Sequence, residues 1–300
     1  MNRLTDSELI DELKKRFEEN GKVLNSLKIV NDKLIDVNRR LHESEALKSN
    51  FLSNIRNEIN NPLTSVLFMA KELKSWETLR PEMVSSMTDT IYNEVFNLDF
   101  QLRNIFAAAE FEAGESAPGI SRVDIDSLIF NSIEAFLHKA DEKRISITFD
   151  SLCESENDPH FNTDPEKLQL AINNLLSNAI EFSHEGGVVE ITACRKDGDL
   201  NISVKDYGIG IDEKDHAAIF DRFKQLEAGA SKSHLGHGLG ASITKSMVDL
   251  LNGTISLASA KGQGSAFTVS IPEAESDKGI NVFSANSNEF FFEAGEEKEF

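Results

Sequence analysis

Two groups of residues in this 300-residue chain have the types and spacing to do chemistry. The first is Asn57-Glu58-Ile59-Asn60-Asn61-Pro62. Glu58 and Asn61 lie three apart, so on a helix a carboxylate and a carboxamide share one face. An amide placed this way can orient a water molecule without having to ionise. Asn57, next to them, is no nucleophile, because its amide lone pair is delocalised into the carbonyl. The second group is four short segments in fixed order. Asn174-Leu175-Leu176-Ser177-Asn178-Ala179 places two amides at i and i+4, where both can enter one pocket. Asp206-Tyr207-Gly208-Ile209-Gly210-Ile211 follows a strand-like run. Ile219-Phe220-Asp221-Arg222-Phe223 comes next, and Gly236-His237-Gly238-Leu239-Gly240-Ala241 opens a helix over 242–250. A lone G-x-G-x-G is weak evidence, since glycine-rich turns are common. Four such segments in this order are not.

The elements that must hold these groups fall into two kinds. Residues from about 7 to 113 read as helix almost throughout. Val23, Leu27, Val30, Leu34, Val37 and Leu41 alternate spacings of 4 and 3, the a/d seam of a parallel coiled coil. Ser44 and Lys48 would loosen that seam, and apolar spacing resumes at Leu52, Ile55, Ile59, Leu63 and Val66. Residues 76–80 connect to a second helix, with Pro81 suited to its first turn. There Val84, Met87, Ile91, Val95, Leu98, Leu102, Ile105 and Ala109 form another stripe. Two antiparallel helices cannot bury both stripes alone, so the pattern predicts a homodimeric four-helix bundle. The small, turn-rich run 113–119 marks a boundary. Beyond it, residues 146–149, 188–192, 200–204 and 266–271 alternate as strands, and 166–182 reads as helix. The expected fold class is therefore α+β, with four parts. Residues 1–47 form a coiled coil, 48–114 a helical hairpin, 120–272 an α/β sandwich, and 273–300 an acidic, phenylalanine-bearing tail, disordered or loosely docked.

Bulk properties exclude several functions. A net charge of −20 argues against general nucleic-acid binding, which needs a basic surface. No run approaches the roughly 18 apolar residues that span a bilayer, and the N-terminus has no apolar signal core. The expected setting is the cytoplasm, without membrane insertion. Cys153 and Cys194 have no metal-ligand spacing and read as reduced thiols.

Together these motifs resemble the two-component sensor histidine kinases, over roughly residues 45–272. The segment Phe51–Leu63 is similar to their H-box, and Asn57 stands where the family has its phosphoaccepting histidine. The four later segments resemble the N, G1, F and G2 boxes of the GHKL-type ATPase domain shared with the Hsp90 chaperone and DNA gyrase. The resemblance implies ATP and Mg²⁺ as cofactors. Asp206 would accept a hydrogen bond from the adenine amino group, Asn178 would hold Mg²⁺, and Asn174 would support it. Gly208 and Gly210 would allow close backbone approach, and Phe220 would belong to the same site. Gly236, Gly238 and Gly240 would bring backbone N–H groups to the phosphates. Glu181 stands where the family usually has a cation, and an anion near a triphosphate would weaken binding. In the family, an acid beside the histidine assists phosphoryl transfer. A Thr or Asn three positions after that acid is associated with dephosphorylating the response regulator. Glu58 and Asn61 keep that pattern. His42 lies 15 residues before Asn57, roughly 22 Å away at ~1.5 Å per residue, too far to replace it. Three functions stay open: a response-regulator phosphatase, a non-enzymatic scaffold for another kinase or regulator, and an active kinase whose histidine has been replaced by asparagine.

Overall fold

The structure is a computed structural model describing residues 6–74, 80–114, 116–151, 160–221, 240–275 and 282–283. The chain divides into two compact units, residues 1–53 and 54–300. The first unit is helical, formed by the leading part of α1 (Asp6–Glu72). Its six a/d residues from Val23 to Leu41 are each more than half exposed. Among the described residues, these six form an exposed apolar seam.

In the second unit, α2 (Pro81–Ala113) begins with Pro81 in its first turn and ends on Gly114, whose φ of 70° lets its N–H turn back onto the last carbonyls. Among the described residues, eight strands, three further helices and two 3₁₀ turns follow. They are β1 (Ser121–Asp124), α3 (Ile125–Glu142), β2 (Ser146–Ser151), β3 (His160–Thr163), α4 (Pro165–Phe182), β4 (Val188–Lys196) and β5 (Asp199–Asp206). The 3₁₀ turns Glu213–Asp215 and Ala218–Phe220 precede α5 (Gly240–Leu250), β6 (Thr254–Ser259), β7 (Ser265–Pro272) and β8 (Val282–Phe283).

The main sheet has the order β2-β4-β5-β7-β6, with only β2 and β4 parallel. Alternation in the central strands explains its burial. Val189, Ile191 and Ala193 of β4, with Leu200, Ile202 and Val204 of β5, are almost fully buried. They join one core with Leu128, Ile129 and Phe136 of α3 and Leu168, Ile172, Leu175 and Leu176 of α4. Asp124 and Asp164 cap α3 and α4 by accepting from the N–H groups of Ser127 and Lys167, at 3.1 and 3.0 Å.

The structure adds to the sequence reading in three places. Helix α3 and strands β1, β3 and β6 were not anticipated. Helix α2 buries a second face, Phe96, Phe100 and Asn104, besides its half-buried a/d stripe. Part of the segment expected to be loose is built into the fold, since Val282 and Phe283 pair in parallel with Arg122 and Val123 of β1. Glu273 accepts from the Asn162 side chain at 3.2 Å and pairs with Arg195. Among the described residues, no helix is long and apolar enough to cross a membrane.

Candidate functional site

The carboxylate end of the site is fixed by the strand that delivers it. Asp206 closes β5, opposite Val189 of β4, and is only 4% exposed. It accepts from the Gly208 N–H at 2.9 Å and from the N–H and hydroxyl of Ser265. Burial pushes its pKa up, against the pull of these donors, which favour the ionised form. Ser265 had no signal in the sequence beyond its place at the start of β7.

The glycines following Asp206 are set by close packing. A Cβ on Gly208 would lie 2.6 Å from the Phe182 carbonyl carbon and 2.9 Å from Ser183 Cα, and nearer still to the Phe182 oxygen. Gly210 has φ of 63°, and a Cβ there would lie 2.8 Å from the Ala260 carbonyl carbon. The strand-to-turn backbone therefore runs flush against the end of α4 and the β6–β7 turn. The Ile209 N–H donates to the Phe182 carbonyl at 3.2 Å, and the Gly262 N–H donates to the Ile209 carbonyl at 2.6 Å. The Ile211 N–H reaches Ser259 Oγ at 2.8 Å.

Helices α4 and α5 form the other side. Asn174 is 3% exposed and Asn178 is half-buried. Both face Gly240, the first residue of α5. A Cβ on Gly240 would stand 3.1 Å from Asn174 Oδ1 and 3.5 Å from Asn178 Nδ2. Phe220 packs edge-on to Phe267 with ring centroids 6.5 Å apart, and Lys245 Nζ lies 5.8 Å from its ring. The structure thus brings together Asn174, Asn178 and Gly240 on one side, and Asp206, Gly208 and Gly210 on the other. Gly236 and Gly238, with His234 and His237, lie outside the described residues.

These residues suit a nucleotide. Asp206 offers a buried acceptor, the glycines leave backbone within reach, and side-chain amides stand at a helix N-terminus. For Mg²⁺, an ion that prefers oxygen ligands and keeps water and phosphate partners, carboxamide oxygens are fitting donors. No group of three or more His, Cys, Asp or Glu able to hold a metal occurs among the described residues.

Glu181 lies one turn beyond Asn178 and close to Lys139 of α3. Burial lowers the Lys139 pKa, and the Glu181 and Glu142 carboxylates oppose that shift. The Lys139 ammonium also lies 5.4–6.0 Å from the Phe96, Phe100 and Phe136 ring centroids. The Glu181 carboxylate is thus partly answered from α3 by Lys139.

In α1, Asn57 and Glu58 are helical, but their side chains lie outside those described. Asn61 is exposed on the same helix, just before the buried Pro62. His42 is exposed, 3.6 Å from Glu45.

Comparisons with known proteins concern the two parts of the chain that carry these residues. Residues 47–114 match the His Kinase A (phospho-acceptor) domain. Residues 163–275 match the Histidine kinase-, DNA gyrase B-, and HSP90-like ATPase. The circadian input-output histidine kinase CikA of Synechococcus elongatus is 32% identical over 242 residues, covering 80% of this chain and 32% of CikA. The sensor-like histidine kinase SenX3 of Mycolicibacterium smegmatis is 31% identical over 229 residues, 76% of this chain and 58% of SenX3. The chain therefore spans well under two thirds of these relatives. Among solved structures, full-length ShkA in complex with AMPPNP is 27% identical with a TM-score of 0.54, covering 77% of this chain and 46% of that one.

Proposed function

Because the chain belongs to the histidine kinase family, with its phospho-acceptor and ATP-binding domains in order, we propose that it binds ATP with Mg²⁺ yet does not autophosphorylate at its H-box, and instead dephosphorylates or modulates a response regulator. The observation behind this reading is that an asparagine, Asn57, stands where the resemblance would put the acceptor histidine, while the segments that would bind nucleotide are kept. The AMPPNP complex of ShkA supports nucleotide binding by this chain, and Asp206, Gly208 and Gly210 are the residues that would receive it. Asn178 would hold Mg²⁺ with the phosphates, Asn174 would support it, and the ion would neutralise phosphate charge. Glu58 and Asn61 would orient the attacking water at the regulator's aspartyl phosphate, with Asn61 acting through its amide rather than by proton transfer. Homodimerisation through the α1 seam and the hairpin would present this face twice. The expected partners are a response regulator or another histidine kinase, with no nucleic acid and no membrane insertion, in the cytoplasm.

The test has two parts. Incubated with radiolabelled ATP and Mg²⁺, the protein acquires no acid-labile phosphate on a peptide containing Asn57, whereas Asn57→His restores an acceptor. Asn61→Ala keeps regulator binding and slows loss of the aspartyl phosphate about tenfold or more, the scale of a lost orientation effect. If a bound regulator loses its phosphate equally fast with and without this protein, the phosphatase reading fails. The chain is then a scaffold.

A further inference from the structure

Asn174 meets a residue from outside the ATPase domain. Its Nδ2 donates to Asn104 Oδ1 of helix α2 at 2.7 Å, and to the Leu170 carbonyl at 3.0 Å. Asn104 is itself fixed, since its Nδ2 donates to the Phe100 carbonyl at 3.0 Å, and it is only 7% exposed. The helix bearing it is anchored one and two turns earlier. Phe100 and Phe96, 8% and 1% exposed, pack edge-on to Phe136 of α3 with centroids 5.4 and 5.3 Å apart.

A carboxamide has two ends of nearly equal size and opposite hydrogen-bonding character. Sterics cannot choose which end faces a site, but partners can. In Asn174 both N–H donors are spent on Asn104 and Leu170, so Oδ1 is the end that faces Gly240. That leaves an oxygen, the ligand type a hard cation takes, turned toward the start of α5. Asn178 differs, since among the described residues no hydrogen bond fixes its carboxamide, and its Nδ2 lies nearest the Gly240 position. The leading α4 amide is preset, whereas among the described residues nothing presets the second.

We propose that Asn104 of the helical hairpin is a positioning residue for the nucleotide site, holding Asn174 with its oxygen toward Mg²⁺. This rests on the nucleotide reading above and adds a link that reading lacks. The acceptor comes from α2, so moving α2 off the ATPase domain removes it. Docking of the hairpin and affinity for Mg²⁺-nucleotide are then linked, and by thermodynamic reciprocity each strengthens the other.

The test is calorimetric titration of the full chain with AMPPNP, once in Mg²⁺ and once in EDTA. Asn104→Ala and Asn104→Leu both remove the acceptor, so one folded variant, checked by circular dichroism, is enough. The expected result is unchanged affinity in EDTA and about a fivefold loss of the tightening that Mg²⁺ confers, the scale of one hydrogen bond. Asn104→Asp keeps an oxygen for Asn174 to donate to and retains that tightening. Equal losses with and without Mg²⁺, full tightening in the Ala or Leu variant, or an Asp variant as impaired as Ala would each overturn the proposal. A wild-type chain that binds no AMPPNP in either buffer would instead overturn the nucleotide reading beneath it.

Discussion

Replacing Gly208 by alanine tests the site's backbone geometry. Carbon atoms normally approach no nearer than about 3.5 Å, yet the new Cβ would stand 2.6 Å from the Phe182 carbonyl carbon and 2.9 Å from Ser183 Cα. Backbone on one side or the other must yield by about 1 Å, and neither side is a flexible side-chain tip. Such a shift separates the β5 turn from the end of α4 and breaks the hydrogen bond from the Ile209 N–H to the Phe182 carbonyl. Overpacking costs about 1–3 kcal/mol, and a lost hydrogen bond adds about 1 kcal/mol. A total of about 3 kcal/mol would lower the melting temperature of a domain this size by about 6–12 °C. Nucleotide affinity should fall as well, because Asp206 is held through the Gly208 N–H. Gly198→Ala is the control. It lies in the β4–β5 turn with φ of 93° and nothing within 4 Å of an added Cβ, so only backbone strain of about 1–2 kcal/mol applies. Scanning calorimetry and AMPPNP titration read both variants. If Gly208→Ala melts like Gly198→Ala and binds nucleotide normally, the flush packing of this turn on α4 is wrong.

Two further outcomes follow from other parts of the chain. Replacing Leu34 and Leu41 by aspartate puts unpaired charge on the seam, which is costly to bury, so light scattering should show weakened self-association; an unchanged dimer would move the interface to the hairpin alone. His138 lies against Phe96 and Tyr92, with centroids 4.7 and 6.0 Å apart, and its pKa is lowered by burial and then by Lys139, against the opposing pull of Glu142 and Asp141. Below about pH 6.5 the unfolded chain then binds the proton more readily than the folded one. Stability should therefore fall as pH drops from 6.5 through the folded pKa and level off below it, and His138→Gln should flatten that part of a pH–stability profile measured by urea unfolding.

Much of the architecture was legible because its signals are local. The a/d spacing in α1 and α2, Pro81 at a helix start, and alternation in β2, β4, β5 and β7 need no knowledge of partners. Strands β1 and β3 are four residues each, and Ser121-Arg122-Val123-Asp124 has a single apolar position. They exist because Ser121 pairs with Thr163 across a stretch that includes α3 and β2, which no window around either would disclose. Strand β6 lies at a sheet edge, so its alternation is only half-buried. Helix α3 did carry a signal, in Asp124 as its cap and apolar positions at 125, 128, 129 and 136. In the candidate site, Asn174, Asn178, Asp206, Gly208, Gly210 and Gly240 could be singled out because their motifs are short and ordered. Asn104 could not, since one asparagine in a long helix acquires meaning only through a partner 70 positions away.

The departures at Asn57 and Glu181 bear on different steps. Replacing imidazole by an amide removes a nucleophile outright, and no arrangement of neighbours supplies the missing lone pair. Replacing a cation by Glu181 changes only a field, and fields can be answered by other charges. Lys139 does so in part: Glu181 helps it keep its proton in a site where burial opposes charge, and it moderates Glu181 in return. Lys139 also rests among Phe96 and Phe100, the residues that seat α2. Glu181 is therefore linked through Lys139 to the packing of the hairpin helix, and Asn104 links that same helix to Asn174. On the proposed reading, a chain with Asn57 at the acceptor position that couples nucleotide to hairpin position would retain what a modulator of another protein needs, a surface whose placement depends on ATP.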